Sequence, residues 1–323
     1  MRSTFTSCRF SAALFCASIA TAVLAASAAT VRAQTYGFAT LQPGTLNHTT
    51  ASAIAKVLKE KAGLNVLVQP TAGDQVIVPM VAQGEAELGI SNAMEVHDGL
   101  SKGFKELRII AAAHALRVGF FARKDGDIRT VADLKGKRVP YGFSAMRALE
   151  PTVRAILATA DLSEKDVKPV LVPNVIRSAD DFAAGAADAF YFAFGAPKVR
   201  EVDATVGGIR MTEINEQGMG AARKIERWGY LTDVSPSPVF VGVEKPMKVY
   251  SFDNLLFTSA KTSDDLVFKM LDTLLNNKEE LVAVQPVLRE FSAPFAYKQY
   301  EVPYHPGAVK YFKEHNVAPK AVD

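Results

Sequence analysis

The fold is encoded most clearly in residues 36–91, YGFATLQPGTLNHTTASAIAKVLKEKAGLNVLVQPTAGDQVIVPMVAQGEAELGIS, where short apolar runs alternate with helical patterns. The predicted elements are a strand at 36–39, a helix at 49–62, a strand at 64–69, a helix ending near Gln83 and a strand at 88–91. In the first helix, Ala53, Ile54 and Val57 share one face, and Gly63 stands where a left-handed cap is expected. This βαβαβ order predicts a parallel sheet with helices packed on it.

Pro79 interrupts the second helical pattern, because a proline inside a helix removes a backbone hydrogen bond. A helical turn that begins near Val78 would place Pro79 at its first position, where proline is favoured. The sequence therefore leaves the start of this helix open between Asp74 and Val78.

Beyond residue 100 the alternation stops and later begins again. Extended apolar runs at 107–113 and 118–122 precede a polar break and a second α/β pattern. The strand at 248–258 and the helices after it are too few to form a lobe of their own. The predicted fold is α/β, with two lobes joined by two crossover hinge segments. The predicted division is residues 1–33 for a signal peptide, 34–122 and 248–323 for lobe one, and 123–247 for lobe two.

The amino terminus has the pattern of an export signal. Arg2 and Arg9 precede an uncharged run of small and apolar residues. Residues 31–33, VRA, supply a small-x-small pattern for cleavage after Ala33, and residues 26–28, ASA, are the alternative. We expect a cleavable signal peptide and a periplasmic mature protein.

Removal of this segment changes the charge and the cysteine count. It takes three of the 37 basic residues and no acid, which leaves as many basic residues as the 34 acidic ones. Both cysteines, Cys8 and Cys16, leave with it. A neutral chain gives no electrostatic support for a nucleic-acid or anionic-membrane partner. A cysteine-free chain has no disulfide, thiolate metal site or catalytic thiol.

Motifs for catalysis, metals and cofactors do not stand out. The histidines without metal-binding spacing are His48, His97, His114, His305 and His315. The chain has no nucleophile elbow, P-loop or Gly-x-Gly-x-x-Gly. After the signal, no stretch approaches the roughly 20 apolar residues that span a bilayer. We expect no enzymatic activity, no cofactor, no metal and no stable membrane insertion.

Polar turns of small residues fall between the predicted strand ends and helix starts of lobe one. In open α/β sheets such turns form the ligand cleft, and free N–H groups at helix starts favour an anion. The expected ligand contacts are Thr45, Asn47, His48, Ala72, Gly73, Ser91 and Asn92. Helix capping is the alternative for Thr45, Asn47 and Asn92. Asp74 is expected to cap its own helix, since its carboxylate would repel an anion.

In lobe two the turn at 142–147, GFSAMR, offers Ser144, Met146 and Arg147 to the same cleft. A guanidinium can hold a carboxylate with two parallel hydrogen bonds. The alternative for Arg147 is a solvated side chain paired with Glu150. We therefore expect an anionic ligand and leave the role of Arg147 open.

An aromatic cluster follows at the end of a predicted strand. Tyr191, Phe194 and Gly195 are expected to cover the apolar part of a ligand. Strand alternation places Phe190 and Phe192 on the face opposite Tyr191, so only one face is expected to reach the pocket.

Four further segments, taken in order, carry a family resemblance: GEAELGI at 84–90, LKGKRV at 134–139, GAADAF at 185–190 and HPGA at 305–308. From Tyr36 onward the chain resembles the TAXI class of binding proteins from tripartite (TRAP) transporters. The LKGKR segment alone is similar to one found across many type II periplasmic binding proteins. The specificity therefore lies in the combination of motifs.

The resemblance implies a two-lobed, type II periplasmic-binding-protein (Venus flytrap) fold without catalysis. It implies delivery of a small carboxylate to a permease driven by an ion gradient. The chain departs from the family's Gly-rich first turn and paired tyrosines at Leu46-Asn47-His48, and from its usual Gly-Ser-Gly-Thr turn at residues 143–146, FSAM. We expect these bulkier side chains to select a ligand unlike plain glutamate.

The predicted function is the extracytoplasmic solute-binding subunit of a TRAP (TAXI-type) transporter that captures a small organic anion, such as a carboxylate. The alternative partner is an ABC importer or a periplasmic sensor system, because the motifs separate these poorly. A two-lobed enzyme is the third hypothesis.

Overall fold

The computed structural model describes residues 34–322. The predicted signal peptide, both cysteines and the cleavage position lie outside the described residues. The strands are β1 (Thr35–Leu41), β2 (Asn65–Thr71), β3 (Leu88–Asn92), β4 (Leu107–Arg123), β5 (Arg138–Tyr141), β6 (Lys168–Leu171), β7 (Phe190–Ala193), β8 (Ile209–Met211), β9 (Tyr230–Val234) and β10 (Met247–Ser259). The α-helices are α1 (Leu46–Ala62), α2 (Asp74–Gln83), α3 (Ala93–Ser101), α4 (Leu149–Ala158), α5 (Val175–Ala183), α6 (Pro197–Val206), α7 (Met219–Ile225), α8 (Asp264–Asn276), α9 (Lys278–Val284), α10 (Ala293–Ala296) and α11 (Pro306–Glu314).

Lobe one is built on β1, which pairs in parallel with β2 on one side and β3 on the other. Helix α1 ends at Gly63 in the left-handed conformation (φ 67°), which confirms the predicted cap. Phe38, Ile54 and Leu271 are buried in one apolar cluster, so α1 and the carboxy-terminal α8 pack on the same sheet. The predicted βαβαβ unit is therefore present, and helices after β10 complete it.

Two long antiparallel strands, β4 and β10, connect the lobes. The two predicted apolar runs at 107–113 and 118–122 form one continuous strand, β4. Residues 254–258 of β10 pair with β3, whereas residues 247–251 pair with β9. The register between β4 and β10 shifts at Asn254. Both strands thus change neighbours partway along their length.

Lobe two contains β7 and β8, both antiparallel to the second half of β4, and a separate parallel pair, β5 and β6. Phe121, Phe182 and Phe190 are buried together. The ring centroid of Phe190 lies 5.1 Å from that of Phe121 and 4.9 Å from that of Phe182. An aromatic core therefore fixes the strand that carries Tyr191. The residue boundaries predicted for the two lobes stay a prediction.

The structure decides the start of α2, which the sequence left open. Helix α2 begins at Asp74 and contains Pro79 in its interior. Ile77, Val78 and Val81 are buried against the sheet. Burial of this apolar face outweighs the one backbone hydrogen bond that proline removes.

Candidate functional site

A small cavity of about 40 Å³ lies between the two lobes, which we call the inner cavity. This volume accommodates only a few water molecules. The residues that line it come from both lobes and the connecting strands: Leu41, Thr45, Leu46, Asn47, Asp74, Asn92, Leu116, Val118, Met146, Leu149, Val175, Tyr191, Phe192, Ala193 and Phe252. Of the predicted contacts, Thr45, Asn47, Asn92, Met146 and Tyr191 are therefore brought together.

The start of α1 supplies two of these side chains. Thr45 caps the helix, since its hydroxyl accepts from the His48 N–H (3.2 Å) and donates to the Gln42 carbonyl (2.7 Å). Asn47 is buried and its Oδ1 accepts from Asn254 Nδ2 over 3.0 Å. His48 is half-buried and does not line the inner cavity. The capping alternative for Thr45 is confirmed, and the predicted contact at His48 is not brought to the cavity.

Asn254 belongs to a buried polar group behind the cavity. Its Nδ2 also lies 3.2 Å from His114 Nε2, and its own Oδ1 has no hydrogen-bond partner among the described residues. Burial lowers the pKa of His114 to about 4, so this imidazole is neutral. Because Asn254 stands where β10 changes neighbours, this group links the cavity to the strands that join the lobes.

The start of α2 corrects the expectation for Asp74. Its carboxylate does not cap the helix; instead Ser91 Oγ donates to Asp74 Oδ1 over 2.6 Å. Asp74 is buried and lines the cavity, and desolvation raises its pKa to about 6. Ser91 therefore lies behind Asp74 rather than in the cavity. Ala72, a predicted contact, is exposed and outside it.

Gly73 brings the two lobes into direct contact. A Cβ at this position would overlap the carbonyl oxygen of Ala145 in lobe two. A second backbone contact crosses nearby, because the Lys198 N–H donates to the Gly44 carbonyl over 3.1 Å. The absence of a side chain at Gly73 therefore permits close approach of the lobes. At Gly73 and Ala145 the backbones of the two lobes are in direct contact.

Asn92 has both roles that the sequence left open. Its Oδ1 accepts from the Glu95 N–H over 2.8 Å and so caps α3. The same side chain lines the inner cavity. Capping therefore does not hide it.

The aromatic strand of lobe two corrects the alternation argument, because Tyr191 and Phe192 both line the cavity. The Tyr191 hydroxyl is buried and has no hydrogen-bond partner among the described residues. Phe194 lies outside the cavity and packs edge-on against Phe121 at 5.0 Å. Gly195, with φ 78°, is a turn residue beside Leu46. Three consecutive residues of β7, Tyr191 to Ala193, therefore line the same cavity.

A larger groove of about 530 Å³ is lined by Gln75 and Arg147, which follow Asp74 and Met146 of the inner-cavity lining in sequence, and we call it the outer groove. Its lobe-one wall comes from Gln75, Met94, Glu95, His97, Asp98 and Lys102, and its lobe-two wall from Arg147, Ala148, Pro151 and residues 223–228. Arg147 is exposed here and forms no ion pair among residues 34–322, so the pairing with Glu150 is not observed. Ser144 is exposed and lines neither space. The predicted cationic contact therefore faces the groove, not the cavity.

An ion-paired cluster closes the rim of this groove. Arg227 Nη2 lies 2.6 Å from Glu301 Oε1, and His97 contacts the same carboxylate. The Arg227 guanidinium stacks 4.6 Å above the ring of Trp228, which is the only tryptophan of the chain. Because Arg227 follows α7 and His97 lies on α3, the cluster joins the two lobes. Its charges are exposed, so it contributes little stability.

Two acidic residues at this site were missed by the sequence argument. Asp74 was assigned to a cap, and Glu95 follows Asn92 in what resembles an ordinary helix start. The one available signal was their position just after the carboxyl ends of β2 and β3, where open sheets bind ligands. No sequence pattern indicated that apolar residues such as Leu116, Val118 and Phe252 line the cavity, because their position depends on how β4 and β10 pair.

Asp74→Asn is expected to make the protein more stable at pH 8, by about 2–3 kcal/mol. Asp74 has a folded-state pKa of about 6 against a usual value near 3.8. Its contribution to stability is therefore present below pH 4 and is lost as pH rises through 6. Each pKa unit corresponds to about 1.36 kcal/mol.

Urea denaturation at pH 4 and pH 8 tests this expectation. The stability gain of Asp74→Asn should shrink to near zero at pH 4. Asp125→Asn, an exposed aspartate in the turn after β4, is the matched control and should change little at either pH. A destabilised Asp74→Asn protein at pH 8 would contradict the assigned burial of this carboxylate.

Within residues 34–322, no group of three or more His, Cys, Asp or Glu side chains is arranged to hold a metal ion. The helices of the same residues include none long and apolar enough to cross a membrane.

Solved structures with the same fold come from two bacteria. PhnD1 of Prochlorococcus marinus, solved with methylphosphonate, shares 11% identity over 88% of this chain and 99% of that chain, with a TM-score of 0.55. A binding-protein component of an ABC phosphonate transporter from Pseudomonas aeruginosa shares 12% identity over 79% and 78%, with a TM-score of 0.50. The chain thus has the two-lobed fold of type II periplasmic binding proteins, as its motifs implied.

A family model matches nearly the whole described chain. The match covers residues 38–315, from β1 to the end of α11, and therefore includes both lobes and every residue that lines the inner cavity. The chain belongs to the NMT1-like family.

Proposed function

We propose that the protein is the solute-binding subunit of a membrane transporter: it captures a small organic solute between its lobes and delivers it to a permease. The observation that carries the proposal is the space between the lobes. The inner cavity is lined from both lobes and lies where strand ends meet helix starts, and the outer groove of about 530 Å³ is large enough for a small solute. The inner cavity, with its buried polar groups and apolar side chains, suits one end of such a solute.

Hinge closure is the proposed mechanism. The hinge falls where β4 and β10 change neighbours, near Ala115 and Asn254. A ligand that contacts both lobes favours the closed state, and the permease recognises that state. This hinge lies several residues inside lobe one of the proposed division. In that division lobe one is residues 34–122 and 248–323, and lobe two is residues 123–247.

The organic-anion part of the proposal concerns Arg147. Among the described residues that line the inner cavity, none is Lys or Arg. An acid group in the ligand therefore finds a cationic partner at the outer groove, where the Arg147 guanidinium is exposed. We propose that the apolar part of the ligand enters the inner cavity and that its acid group meets Arg147.

Two classes of permease are candidates. The ABC importer is supported by the Pseudomonas aeruginosa structure, which is a component of an ABC phosphonate transporter. The TRAP permease is supported only by the combination of motifs at 84–90, 134–139, 185–190 and 305–308. We therefore favour the ABC partner. A neighbouring ATPase gene would support it, whereas a neighbouring large fused permease gene would favour TRAP.

The protein is proposed to act in the periplasm and to bind its solute without chemical turnover. The predicted signal peptide at residues 1–33 supports export. Mass spectrometry of the mature amino terminus would check cleavage after Ala33, and recovery of unchanged ligand after incubation would check the absence of turnover.

Thermal shift with a panel of organic acids tests binding. A ligand at 100 times its Kd should raise the free energy of unfolding by about 2.7 kcal/mol, or several degrees in Tm. Arg147→Ala should weaken an acidic ligand about 10- to 100-fold, since it removes a charge-assisted hydrogen bond. Arg200→Ala, an exposed arginine of α6, should leave affinity unchanged. No shift with any acid would count against the proposal.

A further inference from the structure

Glu95 is an unexpected residue on the lobe-one wall of the outer groove. Its side chain is largely buried, with 4% of the residue exposed. The carboxylate accepts no hydrogen bond and forms no ion pair among residues 34–322. A buried carboxylate without partners is costly and normally has a structural explanation.

The obvious structural explanation does not apply. Glu95 is the third residue of α3, after the cap Asn92, where a glutamate often returns a hydrogen bond to the cap's own N–H. Here only half of that arrangement forms: Asn92 Oδ1 accepts from the Glu95 N–H, and the Glu95 carboxylate does not bond back. The carboxylate instead lines the groove.

Asp74 stands close to Glu95 and adds to its unusual state. Burial and the charge of Asp74 together raise the pKa of Glu95 to about 8. Asp74 has one side-chain donor, Ser91, and faces the inner cavity. The nearest cation on the same wall, Lys102, is engaged by Asp98. Two acids thus lie close together, and neither has an ion-pair partner among residues 34–322.

The opposite wall has the complementary charge. Arg147 in lobe two faces the groove without an ion pair. The other charged and titratable groups that line the groove are His97, Asp98, Lys102, Arg223, Lys224, Glu226 and Arg227. A ligand in the groove therefore meets mainly acids on its lobe-one side, with Lys102 beside them, and mainly cations on its lobe-two side, with Glu226 beside them.

We propose that Glu95, with Asp74 beside it, binds a basic nitrogen of the ligand, such as a protonated amine, amidine or guanidine. The inference rests on the proposed function, because it assigns a second chemical group to the same solute whose acid group meets Arg147. The ligand is then amphoteric, with its basic nitrogen on lobe one and its acid group on lobe two. A cation there supplies the partner that both carboxylates lack.

Calorimetry with matched probes tests the assignment. The pairs are 4-aminobutyrate against butyrate, 4-guanidinobutyrate against butyrate, and L-glutamate against glutarate. In the wild-type protein the nitrogen-bearing member should bind at least about 10-fold more tightly. Its affinity should increase from pH 6 to pH 8, as Asp74 completes its ionisation and Glu95 ionises. Glu95→Gln should lower the preference and reduce this increase.

Glu279→Gln is the matched control, since Glu279 is an exposed acid of lobe one on α9, away from the groove. It should retain the preference and the pH profile. Equal affinity for both members of every bound pair, or an unchanged preference in Glu95→Gln, would overturn the assignment.

Extraction of the protein purified from periplasm, followed by mass spectrometry, separates the two proposals. A bound small molecule with a basic nitrogen supports the inference. A bound organic acid without one overturns the inference and leaves the proposed function standing. If no small molecule is extracted and no probe binds the wild-type protein, both proposals fail.

Discussion

Asp253→Ala is expected to lower the free energy of unfolding by about 3–5 kcal/mol. Asp253 and Lys298 form a buried ion pair at 2.8 Å, with 1% and 5% of their side chains exposed. The carboxylate also accepts from the hydroxyls of Tyr230 (2.7 Å) and Tyr300 (2.5 Å). The substitution leaves a buried ammonium and two buried hydroxyls without their acceptor.

Urea denaturation measures this loss. Lys248→Ala removes one member of an exposed pair with Glu216 and should cost less than about 0.5 kcal/mol. The double variant Asp253→Ala with Lys298→Met should recover part of the loss, because the unpaired charge is gone. A loss below about 1 kcal/mol in Asp253→Ala would show that the pair is open to solvent.

Gly73→Ala is expected to weaken ligand binding about 10- to 100-fold while leaving the fold intact. The added methyl group would overlap the Ala145 carbonyl oxygen across the cleft, so the lobes cannot reach the same closed position. Such overpacking costs about 1–3 kcal/mol, and this cost falls on the closed state alone. The backbone at Gly73 is extended (φ 179°, ψ 170°), which alanine adopts without strain.

The measurements are the ligand-dependent shift in Tm and the radius of gyration with saturating ligand. Gly73→Ala should have a smaller shift and a larger radius than wild type, with an unchanged Tm in the absence of ligand. Gly220→Ala in α7 is the matched control, since a Cβ there meets nothing within 4 Å. Wild-type affinity in Gly73→Ala would contradict the assigned contact between the lobes.

The sequence predicted several elements closely because local patterns specify them. The helix predicted at 49–62 is α1, and the strand predicted at 248–258 is β10. Apolar periodicity and caps such as Gly63 act within a few residues, and so they can be recognised from the sequence. The start of the helix around Pro79 could not be predicted from the sequence, because its buried face, which depends on the sheet, outweighs the local preference of proline.

The candidate site was predicted in part. Thr45, Asn47 and Asn92 lie at the cavity because polar turns at the ends of parallel strands meet at one edge of a sheet. Arg147 and Ser144 were assigned to the same turn, yet one faces the outer groove and the other is exposed. Position along a turn does not specify which way each side chain points.

By itself, the sequence determined the α/β order, the two lobes and the turns between strands and helices, because these depend on neighbours in the chain. Only the tertiary structure decided which side chains share the cavity. Asn47 forms a hydrogen bond with Asn254, 207 residues away in the chain. The Asp74 carboxylate accepts a hydrogen bond from Ser91 on the next strand instead of capping its own helix. These two contacts depend on how the strands pair and on how the lobes approach each other. No local sequence pattern predicts them.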